Sequence, residues 1–254
     1  MPALPEDIVM PTGKIVAVVQ ARLGSGRLPM KSLLCLRGLP LVDWVTRRLG
    51  RAKNLDQIMV AVPDTERDEP LLDHLRRHEV PCFAGPEDDV LARLVLAAKA
   101  ADADLVVRVC ADNPLIWGEA VDRLIEHYGR VDCDYAYNHI PRDNRWPDGL
   151  GAEVVSRELL EEMDERADKP SQREHCLNYI WDNAAVYRIS TFDPAESWLC
   201  RPDLKLDVDR PEDFRRLALL PLEYDMDARA IVRVFDDPQN RKSDFRAFPA
   251  DILP

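Results

Sequence analysis

The feature that most constrains the fold is an alternation of short apolar runs with amphipathic segments over the first 116 residues. The apolar runs have the length of buried strands, and the segments between them carry apolar residues at helical spacing. Strands separated by helices pair in parallel and are covered on both faces. The sequence therefore predicts an α/β fold with three layers and a mainly parallel sheet. The predicted strands are 15–19, 57–62, 80–83 and 104–109, and the predicted helices are 41–53, 66–79 and 87–101.

The first predicted strand leads into a basic loop. Arg22, Arg27 and Lys31 fall within ten residues, around Gly24 and Gly26. Glycine lets a backbone approach a ligand closely, and Arg, Lys and free backbone N–H groups bind phosphate oxygens. The loop matches neither the P-loop nor the dinucleotide-binding pattern. The residues alone therefore leave a phosphate site and a solvated surface loop equally open.

Two acidic positions lie further along the chain. Asp112 follows the strand 104–109, and Asp207 and Asp209 alternate on an extended segment, so that their carboxylates share one face. Ligands collect beyond the carboxyl ends of the strands in such sheets. Mg²⁺ prefers one or two carboxylates together with substrate phosphate oxygens. A structural alternative is that Asp112 caps the helix that follows it and that Asp209 caps the helix starting near Pro211.

The basic loop resembles the signature Q-A-R-x-G-S-T-R-L-P-G-K of the cytidylyltransferases that make CMP-sugars, in particular those of the spore-coat-polysaccharide type. It departs at Gly26, where Thr is usual, and at Met30, where Gly is usual. The resemblance spans about residues 14–219. Further matches follow in the family's order: 108–116 resembles R-I-T-A-D-N-P-L-I, 146–153 resembles Y-P-D-G-L-D-V-E, 173–175 is R-E-H, and 208–214 resembles V-D-T-P-E-D-L.

The resemblance implies a Rossmann-like nucleotide-diphospho-sugar transferase fold. Residues 14–254 would form one nucleotidyltransferase domain after a loose tail at 1–13, with acceptor-side elements at about 132–200. The implied reaction is transfer of CMP from CTP to an acidic sugar or a small phosphate- or phosphonate-bearing acceptor, with release of pyrophosphate and dependence on Mg²⁺.

Residue roles carry over on the matching positions. His175 is weighed separately. A histidine on a predicted helix beside Tyr179 and Trp181 is more often structural, but its counterpart in the family contacts the acceptor or the phosphates, and the match to R-E-H favours that role. The implied catalytic residues are Arg22, Lys31, Asp112 and Asp209, and the implied metal ligands are Asp112, Asp209 and Asp207. The nucleotide-binding residues are Gln20, Ala21, Arg22, Gly24, Ser25, Arg27, Lys31, Arg93 and Arg108. The acceptor-binding residues are Asn138, Asp148, Glu153 and His175.

The acceptor-side motifs depart most from the family pattern. Gly151 stands where Asp is usual and is expected to open space, and Trp117 also replaces an Asp. Ala152, Leu177 and Asn178 differ as well. A pocket for a polyhydroxylated acid needs well-placed polar groups. We therefore expect an acceptor other than a typical nine-carbon sugar acid, although neutral drift in a loop explains the same differences.

The net charge and the hydropathy of the chain limit the classes of partner that it can bind. The net charge of −12 argues against a nucleic-acid surface, which needs a basic face. No apolar run reaches the ~20 residues that span a membrane, and a cytoplasmic location is expected. The expected partners are CTP and a small-molecule acceptor, and a homodimer is left open. Two alternatives remain: a glycosyltransferase using the D-x-D of Asp207 and Asp209, and a non-catalytic nucleotide-binding relative.

Overall fold

A seven-stranded sheet forms the centre of the computed structural model, which describes residues 10–241. The strands are β1 (Ile15–Gln20), β2 (Cys35–Leu36), β3 (Leu39–Pro40), β4 (Gln57–Pro63), β5 (Cys82–Gly85), β6 (Leu105–Cys110), β7 (Tyr135–Tyr137), β8 (Glu153–Ser156) and β9 (Ile189–Ser190). Their order in the sheet is β5-β4-β1-β6-β8-β7-β9, and β2 and β3 form a separate hairpin.

Helices cover both faces of the sheet, and further helices pack beside the β2–β3 hairpin. The helices predicted near residues 41, 66 and 87 are present, and the second follows a 3₁₀ turn at Glu66–Asp68. The strand expected at 80–83 begins two residues later. The helices are α1 (Leu41–Leu49), α2 (Glu69–Arg77), α3 (Val90–Ala100), α4 (Gly118–Arg130), α5 (Arg157–Arg166), α6 (Pro170–Glu174), α7 (Asn178–Asp182), α8 (Pro211–Leu219), α9 (Ala228–Asp236) and α10 (Pro238–Arg241).

The sheet is mainly parallel, as predicted. β1 pairs in parallel with β4 and β6, β4 with β5, and β7 with β9. β8 runs antiparallel to both β6 and β7 and lies between them. The sequence did not indicate β8, because this four-residue strand begins at the buried Glu153, which interrupts any apolar run. Antiparallel pairing places Glu153 opposite Arg108, at the edge where β1 and β6 end.

Side-chain alternation along β1 divides the core into two layers. Ile15, Ala17 and Val19 pack with apolar residues of α1, α2 and α4, whereas Val16 and Val18 pack with those of α3 and α5. A third cluster joins the β2–β3 hairpin to the segment before α8 and to α8 and α9. The predicted three-layer arrangement is therefore present.

The two chain ends are described only in part. The loose tail predicted at 1–13 falls mostly on residues 1–9, and the polar end of the chain falls on residues 242–254; both stretches lie outside the described residues. Between residues 10 and 241, none of the helices has the length and apolar character needed to cross a membrane.

Candidate active site

A cavity of about 400 Å³ lies beyond the carboxyl ends of β1 and β6. Because parallel strands end at one edge, the basic loop after β1 and the segment after β6 meet here. Most of the predicted nucleotide-binding residues line it. They are Gln20, Ala21, Arg22, Ser25, Arg27, Lys31, Arg93 and Arg108, with Asp112, His175 and Asp209 alongside them.

Gly24, also predicted to bind the nucleotide, is not on the cavity wall. A Cβ at this position would lie 2.3 Å from Arg67 Nη2. Arg67 in turn forms an ion pair with Glu87. The missing side chain at Gly24 therefore makes room for Arg67 beneath the loop.

Lys31 joins two of the three predicted metal ligands, Asp112 and Asp209. Its Nζ lies 2.9 Å from Asp112 Oδ2 and 3.9 Å from Asp209 Oδ1, and it donates a 3.1 Å hydrogen bond to the Val208 carbonyl oxygen. Arg27 Nη1 lies 3.1 Å from Asp209 Oδ2. These four side chains come from three segments that are far apart along the chain, and the fold gathers them on one wall of the cavity.

The helix-cap alternative for the two aspartates is not supported. α4 begins at Gly118, six residues after Asp112, and Trp117 precedes it. At α8 the Asp213 carboxylate, rather than that of Asp209, accepts hydrogen bonds from the backbone N–H groups of Asp209 and Arg210. Both aspartates are therefore free of the capping role that would have explained them.

Met30 replaces a family glycine but keeps a glycine-like backbone. Its φ is 58° and its ψ is 13°, which is the left-handed region that favours glycine. Its N–H donates to the Leu23 carbonyl oxygen at 3.0 Å, which closes the basic loop. The side chain packs on the core formed with α1, α2 and α4. The departure from the family pattern therefore changes the side chain without opening the loop.

Two arginines form the floor of the cavity. Arg93 is 2% exposed and its Nε is buried without a hydrogen-bond partner among the described residues. Burial, with the nearby Arg22, lowers the pKa of Arg93 below its ordinary value. Arg108 Nε donates to Gln20 Oε1 at 2.9 Å, and its Nη1 contacts Glu153. Both are held in place before any ligand binds.

Asp148, predicted to bind the acceptor, lies beside Asp207, which is one of the predicted metal ligands. Its N–H donates to the Leu204 carbonyl oxygen and its carbonyl accepts from Leu206 N–H, both at 2.9 Å, so the chain runs beside Asp207. Burial and the Asp207 charge raise the pKa of Asp148 to about 6. Burial also raises the pKa of Asp207, whose Oδ1 is buried without a hydrogen-bond partner in the described part of the chain.

A second cavity, of about 490 Å³, adjoins the first, because Arg108 and His175 line both. The exposed His175 lies between α6 and α7, so its predicted helical position is wrong; the chain turns there at φ −102°, ψ 78°. The other residues of this wall are His139, Ile140, Arg142, Glu153, Cys176, Leu177, Asn178, Trp181 and Asp182.

Glu153 is the anchored acid of the second cavity. It is 4% exposed, and its Oε1 accepts a 2.5 Å hydrogen bond from the Tyr135 hydroxyl. Although burial alone would raise the pKa of Glu153, the charge and hydrogen bond of Arg108 and the hydrogen bond from Tyr135 lower it below its ordinary value. The carboxylate is therefore charged and already paired.

Sequence reasoning missed two groups of the second cavity. His139 Nε2 lies 3.8 Å from Glu153 Oε2, while its Nδ1 is buried without a partner among residues 10–241. Burial lowers the pKa of His139. The guanidinium carbon of Arg142 lies 3.6 Å from the centre of the Trp181 ring. The available signal was position, because both residues follow the end of β7 (Tyr135–Tyr137) within five residues.

The predicted acceptor contact by Asn138 is not supported. Its Nδ2 donates to the Ala120 carbonyl oxygen and its Oδ1 accepts from Ala152 N–H, each at 2.9 Å, and the residue is fully buried. A Cβ at Gly151 would lie 2.1 Å from Asn138 Oδ1. The expectation that Gly151 opens space is therefore wrong, because Asn138 fills that space.

Trp117 also lies outside the site. Its ring stacks with Arg123, whose guanidinium carbon is 5.1 Å from the ring centre, and it lines a separate cavity beside Arg48. It adds no apolar bulk to the two cavities described above. Of the departures from the family pattern, Leu177 and Asn178 are the ones that line the second cavity.

Comparison with known proteins gives one family. A family model described as Cytidylyltransferase matches residues 16–226. An uncharacterized protein of Methanocaldococcus jannaschii is 33% identical over 232 residues, covering 89% of this chain and 92% of that protein. The spore coat polysaccharide biosynthesis protein SpsF of Bacillus subtilis is 30% identical over 211 residues, 81% and 85% of the two chains. A 3-deoxy-manno-octulosonate cytidylyltransferase of Acidobacterium capsulatum is 31% identical over 194 residues, 71% and 78%.

Solved structures show the same fold. A cytidylyltransferase of Leptospira borgpetersenii matches with a TM-score of 0.79 at 24% identity, covering 88% of this chain and 94% of that one. CMP:2-keto-3-deoxy-manno-octonic acid synthetase, solved with CTP, matches at 0.61 and 19%, covering 81% and 97%. A Mycobacterium tuberculosis protein solved with manganese matches at 0.54 and 17%, covering 81% and 98%. The predicted Rossmann-like nucleotidyltransferase fold is confirmed.

Proposed function

This chain belongs to the cytidylyltransferase family, and we propose that it transfers CMP from CTP to a hydroxyl group of an acidic sugar or a small phosphate- or phosphonate-bearing alcohol. Pyrophosphate is the second product. The observation that carries the proposal is the position of Lys31, whose ammonium group contacts Asp112 and lies 3.9 Å from Asp209. Triphosphate oxygens bind cationic side chains, and a metal ion binds carboxylates. Lys31 supplies the first kind of group and Asp112 and Asp209 the second, on the same wall of the cavity.

The arginines around Lys31 fit a triphosphate. Arg22, Arg27, Arg93 and Arg108 line the same cavity, so several guanidinium groups surround a space of about 400 Å³. Phosphoryl and nucleotidyl transfer depend mainly on positioning and on neutralising charge. In the proposed reaction the acceptor hydroxyl oxygen attacks the α-phosphorus, the bond to the bridging oxygen breaks, and pyrophosphate leaves. The buried Arg93 and the anchored Arg108 would hold phosphate oxygens without having to be ordered first.

The acidic residues fit Mg²⁺. Asp112 and Asp209 would hold the ion, and Asp207, whose Oδ1 has no hydrogen-bond partner among residues 10–241, adds a third acidic group nearby. Among residues 10–241 no group of three His, Cys, Asp or Glu is arranged to hold a metal. Two carboxylates completed by substrate phosphate oxygens are what Mg²⁺ prefers. When bound, the ion neutralises phosphate charge and polarises the phosphoryl group.

The D-x-D alternative finds less support in the geometry. Asp209 lines the nucleotide cavity, whereas Asp207 pairs with Lys205 at 3.3 Å and lies beside Asp148. The two carboxylates therefore do not face one sugar nucleotide together. A glycosyltransferase function would also give no role to the cations of the basic loop.

We propose that the acceptor is smaller or less hydroxylated than a nine-carbon sugar acid. Leu177 is 4% exposed and lines the second cavity with Asn178. An apolar side chain on this wall removes a hydrogen-bonding position that a polyhydroxylated acid would use. Efficient, saturable turnover of sialic, legionaminic or pseudaminic acid would overturn this part of the proposal.

A pyrophosphate-release screen tests the function. The protein is incubated with CTP, Mg²⁺ and a panel of sugar acids and phosphate- or phosphonate-bearing alcohols, with GTP, UTP and ATP as controls. We expect release that requires both CTP and one acceptor class, and that Asp112→Asn abolishes. Release of a nucleoside diphosphate from a sugar nucleotide, with no reaction of CTP, would instead favour the glycosyltransferase. CTP binding without turnover across the whole panel would contradict the proposal.

A further inference from the structure

We propose that the second cavity recognises the acceptor by two groups: Arg142 binds its anionic group, and His139 Nδ1 accepts a hydrogen bond from one of its hydroxyl groups. The inference rests on the proposed CMP transfer for the identity of the ligand as an acceptor. The ligand class it names is a hydroxylated organic anion, either a carboxylate or a phosphate.

Arg142 offers an uncompensated charge. Its guanidinium carbon lies over the Trp181 ring, 3.6 Å from the ring centre. Among residues 10–241, no hydrogen bond or ion pair to this guanidinium is present. Because Arg142 lines the second cavity, its N–H donors are available there to carboxylate or phosphate oxygens, which a guanidinium binds in a bidentate manner. Arg142 is thus a cation in place for a ligand.

The backbone that carries Arg142 is held firmly. The Arg142 carbonyl oxygen accepts hydrogen bonds from the Tyr137 hydroxyl at 2.7 Å and from Asn144 Nδ2 at 2.8 Å. Asn144 Nδ2 also donates to Thr191 Oγ1 at 2.9 Å. A group held in place before binding loses little entropy when its ligand arrives. The turn therefore presents Arg142 at a fixed point on the cavity wall.

His139 offers the second contact. Its Nε2 lies 3.8 Å from Glu153 Oε2, so we assign the ring proton to Nε2. Nδ1 then carries a lone pair, and it is buried without a partner in the described part of the chain. A buried polar atom left unpaired is unfavourable, and a hydrogen bond from a ligand hydroxyl would offset that cost. Burial also lowers the pKa of His139, so the ring stays neutral and accepts rather than donates at Nδ1.

The acids of the cavity do not compete for Arg142. Glu153 is paired with Arg108 and with the Tyr135 hydroxyl. Asp182 accepts from Lys169 at 3.0 Å and from Gln172 at 2.8 Å. A cationic or neutral ligand would leave the Arg142 charge unmatched, whereas an anion would pair with it. A cavity of about 490 Å³ accommodates a small organic molecule.

The test measures binding of defined probes by saturation-transfer NMR and calorimetry. The carboxylate arm compares 3-deoxy-manno-octulosonate with its methyl ester. The phosphate arm compares glycerol 1-phosphate with glycerol, which lacks the anion, and with propyl phosphate, which lacks the hydroxyl groups. The variants are Arg142→Ala, His139→Ala and the matched control Arg145→Ala. Arg145 lies on the same loop but pairs with Asp193 at 2.9 Å and does not line the cavity.

We expect at least one acid to bind the wild type and its neutral counterpart to bind far less. Arg142→Ala should weaken that acid by roughly tenfold to a hundredfold, because a hydrogen-bonded charge pair is lost. His139→Ala should remove the preference for glycerol 1-phosphate over propyl phosphate if the phosphate arm binds. Arg145→Ala should bind like the wild type, and CTP affinity and melting temperature should be unchanged in Arg142→Ala.

Other results overturn the proposal. They are failure of both acids to bind the wild type, equal binding of acid and ester, and unchanged acid binding in Arg142→Ala. The proposed function fails separately. If acceptor-dependent pyrophosphate release occurs with the same acceptor KM in Arg142→Ala and the wild type, CMP transfer stands and this subsite is wrong. If the acids bind through Arg142 but CTP is never cleaved, the subsite stands and the transfer is wrong.

Discussion

Lys31 and Asp112 form an ion pair of 2.9 Å on the wall of the nucleotide cavity, and the same ammonium lies 3.9 Å from Asp209. Lys31 therefore reduces the repulsion between two carboxylates that are separated by almost a hundred residues in sequence. A triphosphate with a divalent cation would rearrange this contact, because the phosphate oxygens attract the ammonium and the cation attracts the acids. Binding of the triphosphate, binding of the cation and the positions of the two carboxylates therefore all depend on the Lys31 ammonium group.

Lys31→Ala should weaken CTP binding by roughly tenfold to a hundredfold, since a charged hydrogen-bond donor to the phosphates is lost. The melting temperature should fall by only a few degrees, because the ion pair is partly solvated and such pairs contribute little to stability. Calorimetric titration with CTP and a thermal melt measure the two quantities.

Lys99→Ala is the matched control for this prediction. Lys99 lies on α3 and its Nζ is 3.7 Å from Glu161, outside the cavity. It should bind CTP like the wild type. Arg27→Ala should lose less CTP affinity than Lys31→Ala, because the Arg27 side chain is 62% exposed. A collapse of stability in Lys31→Ala with unchanged CTP affinity would show that Lys31 is structural.

Gly151→Ala should lower the free energy of unfolding by about 1–3 kcal/mol, the usual cost of overpacking. The added Cβ would meet Asn138 Oδ1 at 2.1 Å, and Asn138 is held by Ala120 and Ala152. Urea unfolding measures the change. In a double-mutant cycle with Asn138→Ala, the second change should relieve part of the cost of the first.

Gly26→Ala serves as the comparison, because no atom of the described residues 10–241 lies within 4 Å of a Cβ built at Gly26. Its stability should stay within about 0.5 kcal/mol of the wild type. Equal losses for the two glycine variants would mean that Asn138 does not fill the space beside Gly151.

The positions of site residues that directly follow parallel strands could be predicted from the sequence. The positions of residues that depend on long-range contacts could not. Lys31 and Asp112 could be placed together because β1 and β6 are both parallel strands ending at one edge. The position of Asp148 beside Asp207 depends on hydrogen bonds between the Asp148 backbone and the backbone of residues 204 and 206. Such long-range bonds produce no pattern in the sequence around Asp148. Gly151 was misread for the same reason, because its neighbour Asn138 comes from another strand end.

Met30→Gly should change the free energy of unfolding by no more than about 1 kcal/mol. The left-handed backbone at φ 58° costs a non-glycine residue about 1 kcal/mol. Glycine avoids this cost, and the stability gained in that way offsets the packing lost with the Met30 side chain. CTP affinity should be unchanged. Met30→Val keeps an apolar side chain but is β-branched, which makes a left-handed backbone less favourable still.

Urea unfolding of both variants checks this prediction. Met30→Val should be the less stable of the two, and its basic loop should bind CTP more weakly. If Met30→Val matches the wild type while Met30→Gly is severely destabilised, side-chain packing and not backbone conformation determines the residue at this position.

Asp148→Asn should stabilise the protein at pH 8 more than at pH 4. Burial and Asp207 raise the pKa of Asp148 to about 6, against an ordinary value of ~3.9. Folding therefore favours the protonated acid, and ionisation costs stability that develops as the pH rises from about 4 to 6. The neutral Asn avoids that cost, so the gain at pH 8 should be about 1–3 kcal/mol.

Thermal and urea unfolding at both pH values, with EDTA present to remove metal ions, measure the effect. Asp134→Asn is an informative contrast, because the ion pair with Arg188 lowers the pKa of Asp134. That substitution should destabilise the protein at pH 8. A gain for Asp148→Asn that is equal at pH 4 and pH 8 would contradict the raised pKa.

Following the label of CTP tests the proposed CMP transfer most directly. The protein is incubated with Mg²⁺, the acceptor found in the screen, and CTP labelled with ³²P at either the α- or the γ-phosphorus. CMP transfer predicts that the α-label appears in an acceptor-linked product and the γ-label in pyrophosphate, and that neither moves in Asp112→Asn. Appearance of the γ-label in the acceptor would instead show phosphoryl transfer and would contradict attack at the α-phosphorus.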